Sequence, residues 1–176
     1  MTQIYSFPPI ENPAARVLVL GSMPGVMSLR LQQYYGHPQN AFWRVMGEVL
    51  GFDATAGYDE RVRALLKRKV ALWDVLASCV REGSLDSNIS PTGILVNDFA
   101  AFLKTHPHVQ RVCFNGAKAE SLYRKQVLPH LATKRVIEYL RLPSTSPAHA
   151  GTRFAEKVRA WRIVARAFDR EVNIRS

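Results

Sequence analysis

Cysteine is scarce in this chain: Cys79 and Cys113 are the only two among 176 residues. Two thiolates cannot hold an iron–sulfur cluster alone, so we expect two small buried hydrophobic side chains in a reducing compartment. His106 and His108 are the only close histidine pair, and no Cys, Asp or Glu lies at a useful ligand spacing from them. We therefore expect neither a metal nor a cofactor.

Long hydrophobic runs are also missing. No apolar stretch approaches the roughly 18 residues that a membrane span requires. The first residues, MTQIYSFPPIENP, carry prolines and a glutamate where a signal peptide has a basic end and an apolar segment. The sequence predicts a cytoplasmic protein, nucleoid-associated in a prokaryote, without a membrane partner.

Acidic residues are outnumbered: 14 Asp and Glu face 24 Lys and Arg, which gives a formal charge of +10. A surplus of this size on a small body favours a polyanionic partner, nucleic acid before a membrane surface. With 47% hydrophobic residues and no linker-like stretch, residues 1–176 read as one domain. Such a domain buries roughly 70% of its unfolded surface, and we expect a monomer.

Strand-like and helix-like patterns alternate along the chain. Apolar runs predict four strands, at 16–21, 70–76, 109–115 and 135–142, with the last two nearer a sheet edge. Helical periodicity falls at 41–50, 59–68, 96–105, 117–128 and 153–170. This order predicts an α/β fold: a three-layer α/β/α sandwich around a four-stranded parallel sheet, with ligands at the carboxyl ends of the strands.

The last predicted helix places Phe154, Val158, Trp161, Ala165 and Phe168 on one face. Seven cations against three anions lie between Arg153 and Arg175. We expect the apolar face to pack inward and the positive face to point outward. That outer face is equally consistent with a solvated helix and with phosphate contact.

Two segments after the first strand could carry chemistry. Gly21-Ser-Met-Pro-Gly25 lets the backbone turn sharply and approach a ligand, although a plain turn explains it as well, and it is neither a P-loop nor a dinucleotide motif. The stretch from Gln32 to Trp43 places Tyr34 and Tyr35 before Asn40. Asn40 suits a helix N-cap, but a primary amide beside two tyrosines also resembles a pocket for a flat heterocycle.

Polar loops follow the later strands. Asp74 and the segment from Ser78 to Asn88 could read base edges or merely satisfy turns. Asn115 could do the same or ease a strand-to-helix turn, which is the interpretation we favour. In Leu142-Pro-Ser-Thr-Ser-Pro-Ala148, two prolines stiffen three hydroxyl residues that could touch phosphates and wedge into a duplex.

In this order, the motifs resemble those of the uracil-DNA glycosylase superfamily. Gly21-Ser-Met-Pro-Gly25 followed by His37-Pro-Gln-Asn-Ala-Phe-Trp43 is similar to the GxNPG…HPxNxFW pattern of its mismatch-specific uracil/thymine enzymes. Leu142–Ala148 is similar to the family's insertion loop, and Leu72-Trp-Asp-Val75 matches the strand that reaches the pocket. The resemblance extends from about Val17 to the final helix.

Departures from the pattern point to one branch. Met23 replaces the motif-1 Asn or Asp that positions water, and a methionine cannot do this. Leu142 stands where the uracil enzymes have a histidine, which makes an efficient uracil-specific enzyme less favoured. The QYYGHPxNxFW and LPSTSPA forms resemble the hypoxanthine-DNA glycosylases, family 6, in which the Asn of HPxNxFW is catalytic. That residue is Asn40.

The resemblance implies a monofunctional glycosylase that flips a deaminated base, hypoxanthine first, out of DNA and hydrolyses its N-glycosidic bond. Asn40 would be catalytic. The base would be bound by Ser22, Met23, Gly25, Tyr35, Asp74, Asn88 and Asn115, and the DNA by Ser144, Thr145, Ser146 and Pro147. Three alternatives remain: a uracil or mismatch enzyme of the same superfamily, a catalytically silent DNA-binding member, and a small-molecule enzyme on the same sheet.

Overall fold

The computed structural model describes residues 2–166 as two β-sheets and their covering helices. The strands are β1 (Gln3–Tyr5), β2 (Val17–Gly21), β3 (Val70–Asp74), β4 (Leu76–Val80), β5 (Leu95–Val96), β6 (Arg111–Asn115) and β7 (Glu138–Leu142). The helices are α1 (Val26–Leu31), α2 (Phe42–Leu50), α3 (Tyr58–Lys67), α4 (Phe99–Thr105), α5 (Ala117–Gln126), α6 (Phe154–Trp161) and α7 (Ile163–Arg166). Short 3₁₀ turns lie at Asp86–Asn88, Leu128–His130 and Pro147–His149.

The larger sheet is parallel, with strand order β3-β2-β6-β7. Every residue of β2 and β3 is buried, as expected for apolar runs covered on both faces. Helix α3 packs on β3, and α5 packs on β6 and β7. The predicted α/β fold with four parallel strands is confirmed. The prediction that β6 lies nearer an edge is wrong, because β6 pairs with both β2 and β7; β3 and β7 form the two edges of this sheet.

A second, antiparallel sheet of order β1-β4-β5 was not predicted. The apolar run 70–76 is two strands rather than one, because the chain changes sheets at Val75. The Val75 and Leu76 amides donate to the backbone oxygens of Gly21 (2.8 Å) and Ser22 (3.2 Å). This change ties the end of β3 to the turn that follows β2.

Two helices differ from their predicted boundaries. Helix α4 begins at Phe99 rather than at residue 96, because Asp98 accepts a hydrogen bond from the Ala101 amide at 2.9 Å and Val96 pairs within β5. The last predicted helix is interrupted at Arg162. Val158 and Trp161 pack inward as expected, whereas Phe154 is exposed beneath Arg44. Phe168 and Arg170 lie outside the described residues.

Buried apolar side chains form one contiguous cluster that spans the parallel sheet and its helices. Cys79 and Cys113 are both buried within it and unpaired, as predicted. Burial raises the pKa of the Cys113 thiol to about 12, which keeps it protonated. None of the helices between residues 2 and 166 is long and apolar enough to span a bilayer.

Candidate active site

A cleft of about 520 Å³ opens at the carboxyl ends of the parallel strands. It lies where β2, β3 and β6 end in Gly21, Asp74 and Asn115. This is the expected ligand position in an open α/β sheet. Of the sequence-predicted site residues, those that line it are Ser22, Met23, Gly25, Tyr35, Asn40, Asp74, Asn115, Ser144, Thr145, Ser146 and Pro147.

Asn40 precedes α2 and serves the backbone as well as the cleft. Its Oδ1 accepts a hydrogen bond from the Phe42 amide at 2.9 Å, although Ala41 occupies the N-cap position itself. A carboxamide oxygen has two lone pairs, and this bond uses one. Asn40 is half-buried and lines the cleft, so its second lone pair is compatible with holding a water there.

The two tyrosines of the QYYGHP segment have different positions. Tyr34 is buried and structural: its hydroxyl donates to the Pro8 carbonyl at 2.9 Å, and its own carbonyl accepts from the Trp43 indole. Tyr35 lines the cleft in a left-handed conformation with φ +53°, which costs energy for a residue other than glycine. Its ring stacks on Phe42, with centroids 4.1 Å apart.

The buried hydroxyl of Tyr35 has no hydrogen-bond partner in the described part of the chain. Burial, followed by the Asp74 charge, raises the pKa of the phenol, so it stays protonated. A side-chain interaction with Asn115 lowers the pKa of Tyr35 and so opposes this shift. A buried donor left without a partner is costly, and at the wall of a cleft it is suited to a ligand.

Asp74 is the last residue of β3 and is only 4% exposed. Its Oδ2 is buried without a hydrogen-bond partner among residues 2–166. Burial and the Asp86 charge raise the pKa of Asp74 to about 7, while Arg81 acts in the opposite direction. A Cβ on Gly21 would lie 2.5 Å from Asp74 Oδ1 and 3.0 Å from the Tyr35 hydroxyl, so the absence of a side chain at Gly21 makes room for both groups.

Asn115 and Thr145 form a reciprocal pair that joins β6 to the loop of residues 143–149. The Asn115 Nδ2 donates to the Thr145 hydroxyl at 2.8 Å, and its Oδ1 accepts from the Thr145 amide at 2.9 Å. Thr145 is only 1% exposed. The role predicted for Thr145 in DNA contact is therefore incompatible with its burial, and the Asn115 side chain acts as a structural tie.

Loop 143–149 has three further attachments. The Ala41 amide donates to the Thr145 carbonyl at 3.0 Å. From α6, the Trp161 indole donates to the Pro143 carbonyl at 2.9 Å and the buried Lys157 ammonium donates to the His149 carbonyl at 3.1 Å. Lys157 therefore does not belong to the outer positive face predicted for this helix.

Across the cleft, the loop of residues 81–88 is bonded to the turn after β2. The buried Arg81 guanidinium donates to the carbonyls of Pro24 and Gly83. The Ser22 hydroxyl donates to Asp86 Oδ1 at 2.5 Å. A third bond runs from the Val26 amide to the Ser84 hydroxyl at 2.8 Å.

Asn88 is the predicted base-binding residue that the structure does not bring to the cleft. It is exposed, and its amide donates to the Glu82 carbonyl at 3.2 Å. Sequence reasoning missed Arg81, Ser84, Leu85 and Asp86, which bond to the turn or line the cleft. The only available signal was the polar composition of this segment, which does not indicate its partners.

Metal ligands are not assembled at this site. Between residues 2 and 166, no group of three or more His, Cys, Asp or Glu side chains is arranged to hold a metal ion. The side chains that line the cleft supply amide, carboxyl, phenol, hydroxyl and imidazole groups, the imidazoles being those of His37 and His149.

Comparisons with known proteins agree with this arrangement. The family model for the uracil DNA glycosylase superfamily matches residues 8–165. Hypoxanthine DNA glycosylases of Methanosarcina barkeri and Methanosarcina acetivorans are 41% and 40% identical over 114 residues, which cover 64% of this chain and 71% of each relative. The solution structure of a putative uracil DNA glycosylase from Methanosarcina acetivorans matches with a TM-score of 0.73 and 33% identity, over 93% of this chain and 99% of that one.

The match extends over the cleft as well as the sheet, since residues 8–165 include every cleft-lining residue. Both the sequence relatives and the structural neighbour carry glycosylase names. The chain belongs to the uracil DNA glycosylase superfamily.

Proposed function

We propose that this protein is a DNA glycosylase that takes a deaminated base, hypoxanthine first, out of DNA and hydrolyses its N-glycosidic bond to leave an abasic site. The observation that carries the proposal is the cleft itself, in which Asn40 lies in the same cavity as Asp74, whose Oδ2 has no hydrogen-bond partner among residues 2–166. The names of the Methanosarcina relatives support hypoxanthine as the first substrate.

We attribute DNA binding to the positive charge of the chain and to hydrogen-bond donors in loop 143–149. The formal charge of +10 favours a polyanion. Ser144 and Ser146 each accept a hydrogen bond from a backbone amide within the loop, at 3.2 and 3.3 Å, which leaves each hydroxyl proton free to donate to a phosphate. Pro147 is exposed beside them. We assign Ser144 and Ser146 to phosphate contact and Pro147 to the neighbouring DNA surface.

Asn40 acts on the attacking water. Breaking the glycosidic bond develops positive charge on the sugar, and a water held against C1′ is the nucleophile. The Asn40 Oδ1, which already accepts a hydrogen bond from the Phe42 amide, accepts a second hydrogen bond from that water with its other lone pair. This fixed position lowers the entropic cost of the attack.

The departing base carries developing negative charge, which backbone amides of the turn after β2 stabilise. Within residues 23–26, Pro24 has no N–H and the Val26 amide is already bonded to Ser84. The role therefore falls to Met23 and Gly25. Ser22, whose hydroxyl is bonded to Asp86, holds the start of this turn in place.

Asp74 reads the edge of the base in its neutral form. A protonated carboxyl donates through its O–H and accepts through its carbonyl, which matches the O6 acceptor and N1–H donor of hypoxanthine. Uracil and xanthine present the same lactam pattern. Adenine can pair with the same group if the two oxygens exchange roles, so we attribute rejection of adenine to the greater cost of extruding a well-paired base.

Tyr35 is the residue to which we assign stacking against the flipped base. One face of its ring is covered by Phe42. We assign stacking against the base to the other face, an interaction worth about 1–3 kcal/mol. We assign Asn115 to holding loop 143–149 in place rather than to base recognition, because its amide makes two hydrogen bonds to Thr145.

The test is a base-release assay on oligonucleotides that carry hypoxanthine, uracil or xanthine, in single and double strands, with alkali used to cut at abasic sites. We expect hypoxanthine to be released fastest. Preference for uracil would assign the protein to the alternative substrate of the superfamily. Salt-sensitive binding with no abasic product from any lesion would identify a silent DNA-binding member and overturn the proposal.

A monofunctional mechanism is part of the proposal. Lyase chemistry requires an amine that forms a Schiff base with the sugar, and no lysine is found among the described residues that line the cleft. We expect no strand cleavage without alkali and no borohydride-trapped complex. A covalent complex trapped with borohydride would contradict this part of the mechanism.

A further inference from the structure

Arg44 is an exposed side chain of α2 that lies outside the cleft. Its guanidinium makes no hydrogen bond or ion pair with any residue between 2 and 166. Glu48 follows one helical turn later, at the usual spacing for an ion pair, but the two side chains do not pair. The guanidinium instead lies over the Phe154 ring of α6, with its central carbon 5.2 Å from the ring centroid.

Phe154 positions this arginine without using its donors. The ring is 40% exposed, although the sequence predicted it on the inner face of its helix. A guanidinium stacked on an aromatic ring presents its flat face to the ring, and its five N–H groups point outward in the guanidinium plane. Arg44 can therefore donate two parallel hydrogen bonds to the oxygens of a phosphate.

Lys157 adds a second positive charge beside Arg44. One of its three ammonium donors bonds to the His149 carbonyl at 3.1 Å. Burial, followed by the charge of Arg44, lowers the pKa of Lys157, as expected when two cations lie close together. Neither cation has a carboxylate partner among residues 2–166, so an anion bound at Arg44 is stabilised by both charges.

The two cations border the side of the cleft to which we assigned phosphate contact. Lys157 bonds to His149, which lines the cleft at the end of loop 143–149. Arg44 lies about one turn of α2 beyond Ala41, whose amide donates to Thr145 in the same loop. A strand that contacts this loop therefore continues toward Arg44.

The opposite side of the cleft carries the opposite charge. In loop 81–88, Glu82 and Asp86 outnumber Arg81, and the Arg81 guanidinium is buried and bonded to backbone carbonyls. Phosphates are therefore repelled from that loop and attracted to the side of α2 and α6.

We infer that Arg44 binds a phosphate of the DNA backbone beside the flipped nucleotide, at a site outside the cleft formed by Arg44, Phe154 and Lys157. The inference rests on the proposed function, since the flipped nucleotide fixes where the strand lies. This phosphate is distinct from those assigned to Ser144 and Ser146. The contact is the same before and during hydrolysis, so it strengthens DNA binding without changing the rate of the bound complex.

The experiment compares Arg44→Gln with Arg63→Gln, which removes an exposed arginine of α3 outside the cleft. Single-turnover release of hypoxanthine from a duplex is measured against protein and salt concentration. We expect Arg44→Gln to raise the half-saturating concentration roughly 10-fold and to keep the maximal rate within about twofold. The slope of log affinity against log salt should become shallower by about 1. Arg63→Gln should match the wild type.

Two further variants separate charge from positioning. Arg44→Lys keeps the charge but lacks the planar fork, and Phe154→Leu removes the aromatic face. Both should keep the wild-type salt slope and raise the half-saturating concentration by a few fold. Wild-type affinity in both variants would contradict the stacked geometry.

A neutral methylphosphonate, placed at one linkage at a time around the hypoxanthine, locates the phosphate. At the linkage that Arg44 contacts, it should weaken the wild type roughly 10-fold and Arg44→Gln less than about twofold; other linkages should affect both proteins equally. Unchanged affinity and salt slope in Arg44→Gln, an equal loss in Arg63→Gln, or no linkage that distinguishes wild type from Arg44→Gln would overturn the inference.

Equilibrium binding of the same duplexes separates this inference from the proposed hydrolysis. If the wild type binds DNA but releases no base, and the Arg44→Gln difference remains, the phosphate site stands and the proposed function fails. If the wild type releases base and Arg44→Gln binds as tightly, the function stands and the site fails. A wild type that binds no DNA would overturn both.

Discussion

Loops 81–88 and 143–149 face each other across the cleft and are held by different chemistry. Loop 143–149 is fixed by three neutral groups, Asn115, Trp161 and the Ala41 amide, and by one ammonium group, that of Lys157, which does not act on the pKa of Asp74. Loop 81–88 is fixed by two ionisable side chains, Arg81 and Asp86, which also act on the pKa of Asp74.

This difference separates two functions of the site. Loop 143–149 is part of the folded framework, and we expect it to stay in place across the pH range in which the protein is folded. Loop 81–88 shares its charges with the group proposed to read the base, so the position of the loop and the protonation of Asp74 are linked. Changes on the two sides should therefore give different experimental signatures.

The largest effect is expected at Asn40, beside the point where loop 143–149 meets α2. Asn40→Ala removes the group that holds the water, and base release should fall by about 100-fold or more on single and double strands alike. The lost backbone bond should lower the free energy of unfolding by only about 1 kcal/mol. Single-turnover rates and thermal melting measure the two effects. Asn88→Ala, outside the cleft, is the control; near-normal release by Asn40→Ala would leave Asn40 a purely structural role.

Asp74 should give the next largest effect and the clearest pH dependence. Its pKa is raised to about 7, so the neutral form is present below pH 7 and hypoxanthine release should fall as the pH rises through that value. Asp74→Asn keeps one donor and one acceptor and should remove this fall. Asp74→Leu should release hypoxanthine about 10- to 100-fold more slowly than the wild type below pH 7, and the difference should shrink above that pH.

Stability provides an independent test of the same carboxyl. The unfolded chain releases this proton near pH 3.8 and the folded protein near pH 7, so Asp74 lowers the free energy of unfolding progressively as the pH rises between these values. Asp74→Asn should therefore raise the melting temperature more at pH 8 than at pH 4. Equal shifts at both pH values would contradict the raised pKa.

Asn115→Ala probes the neutral side of the cleft. It removes both bonds to Thr145 and should lower the free energy of unfolding by about 1–3 kcal/mol. The rate should fall only severalfold, equally on single and double strands, because the loop loses one of several attachments. Thr145→Ser, which keeps the hydroxyl, serves as the control in melting and rate measurements. A 100-fold loss of release with unchanged melting would instead make Asn115 a base reader.

The smallest effect is expected at Ser84. Ser84→Ala removes one exposed hydrogen bond to the Val26 amide and should cost less than about 1 kcal/mol of stability. Because Arg81 and Asp86 still hold loop 81–88 to the turn after β2, base release should fall by no more than a few fold, equally on single and double strands. Ser84→Thr keeps the bond and should behave as wild type. A loss of about 100-fold with unchanged melting would place Ser84 in the pocket chemistry instead.

Much of the fold could be predicted from the sequence because buried parallel strands are continuous apolar runs. The change of sheet at Val75 could not, since the run 70–76 contains no residue that marks a break. Eleven of the twelve site residues predicted from the motifs line one cleft. The motifs could not predict the hydrogen bonds between Asn115 and Thr145 or between Ser22 and Asp86, because these pairs lie 30 and 64 positions apart in the sequence.

Gly21 restricts how this site can evolve. Any side chain there would collide with Asp74 and press on Tyr35, so position 21 cannot gain a side chain unless residues 35 and 74 change with it. A descendant that adopted a larger residue at 21 would have to shorten or move both polar neighbours at the same time. New substrate preferences should therefore arise more easily through the two bordering loops than through the floor of the cavity.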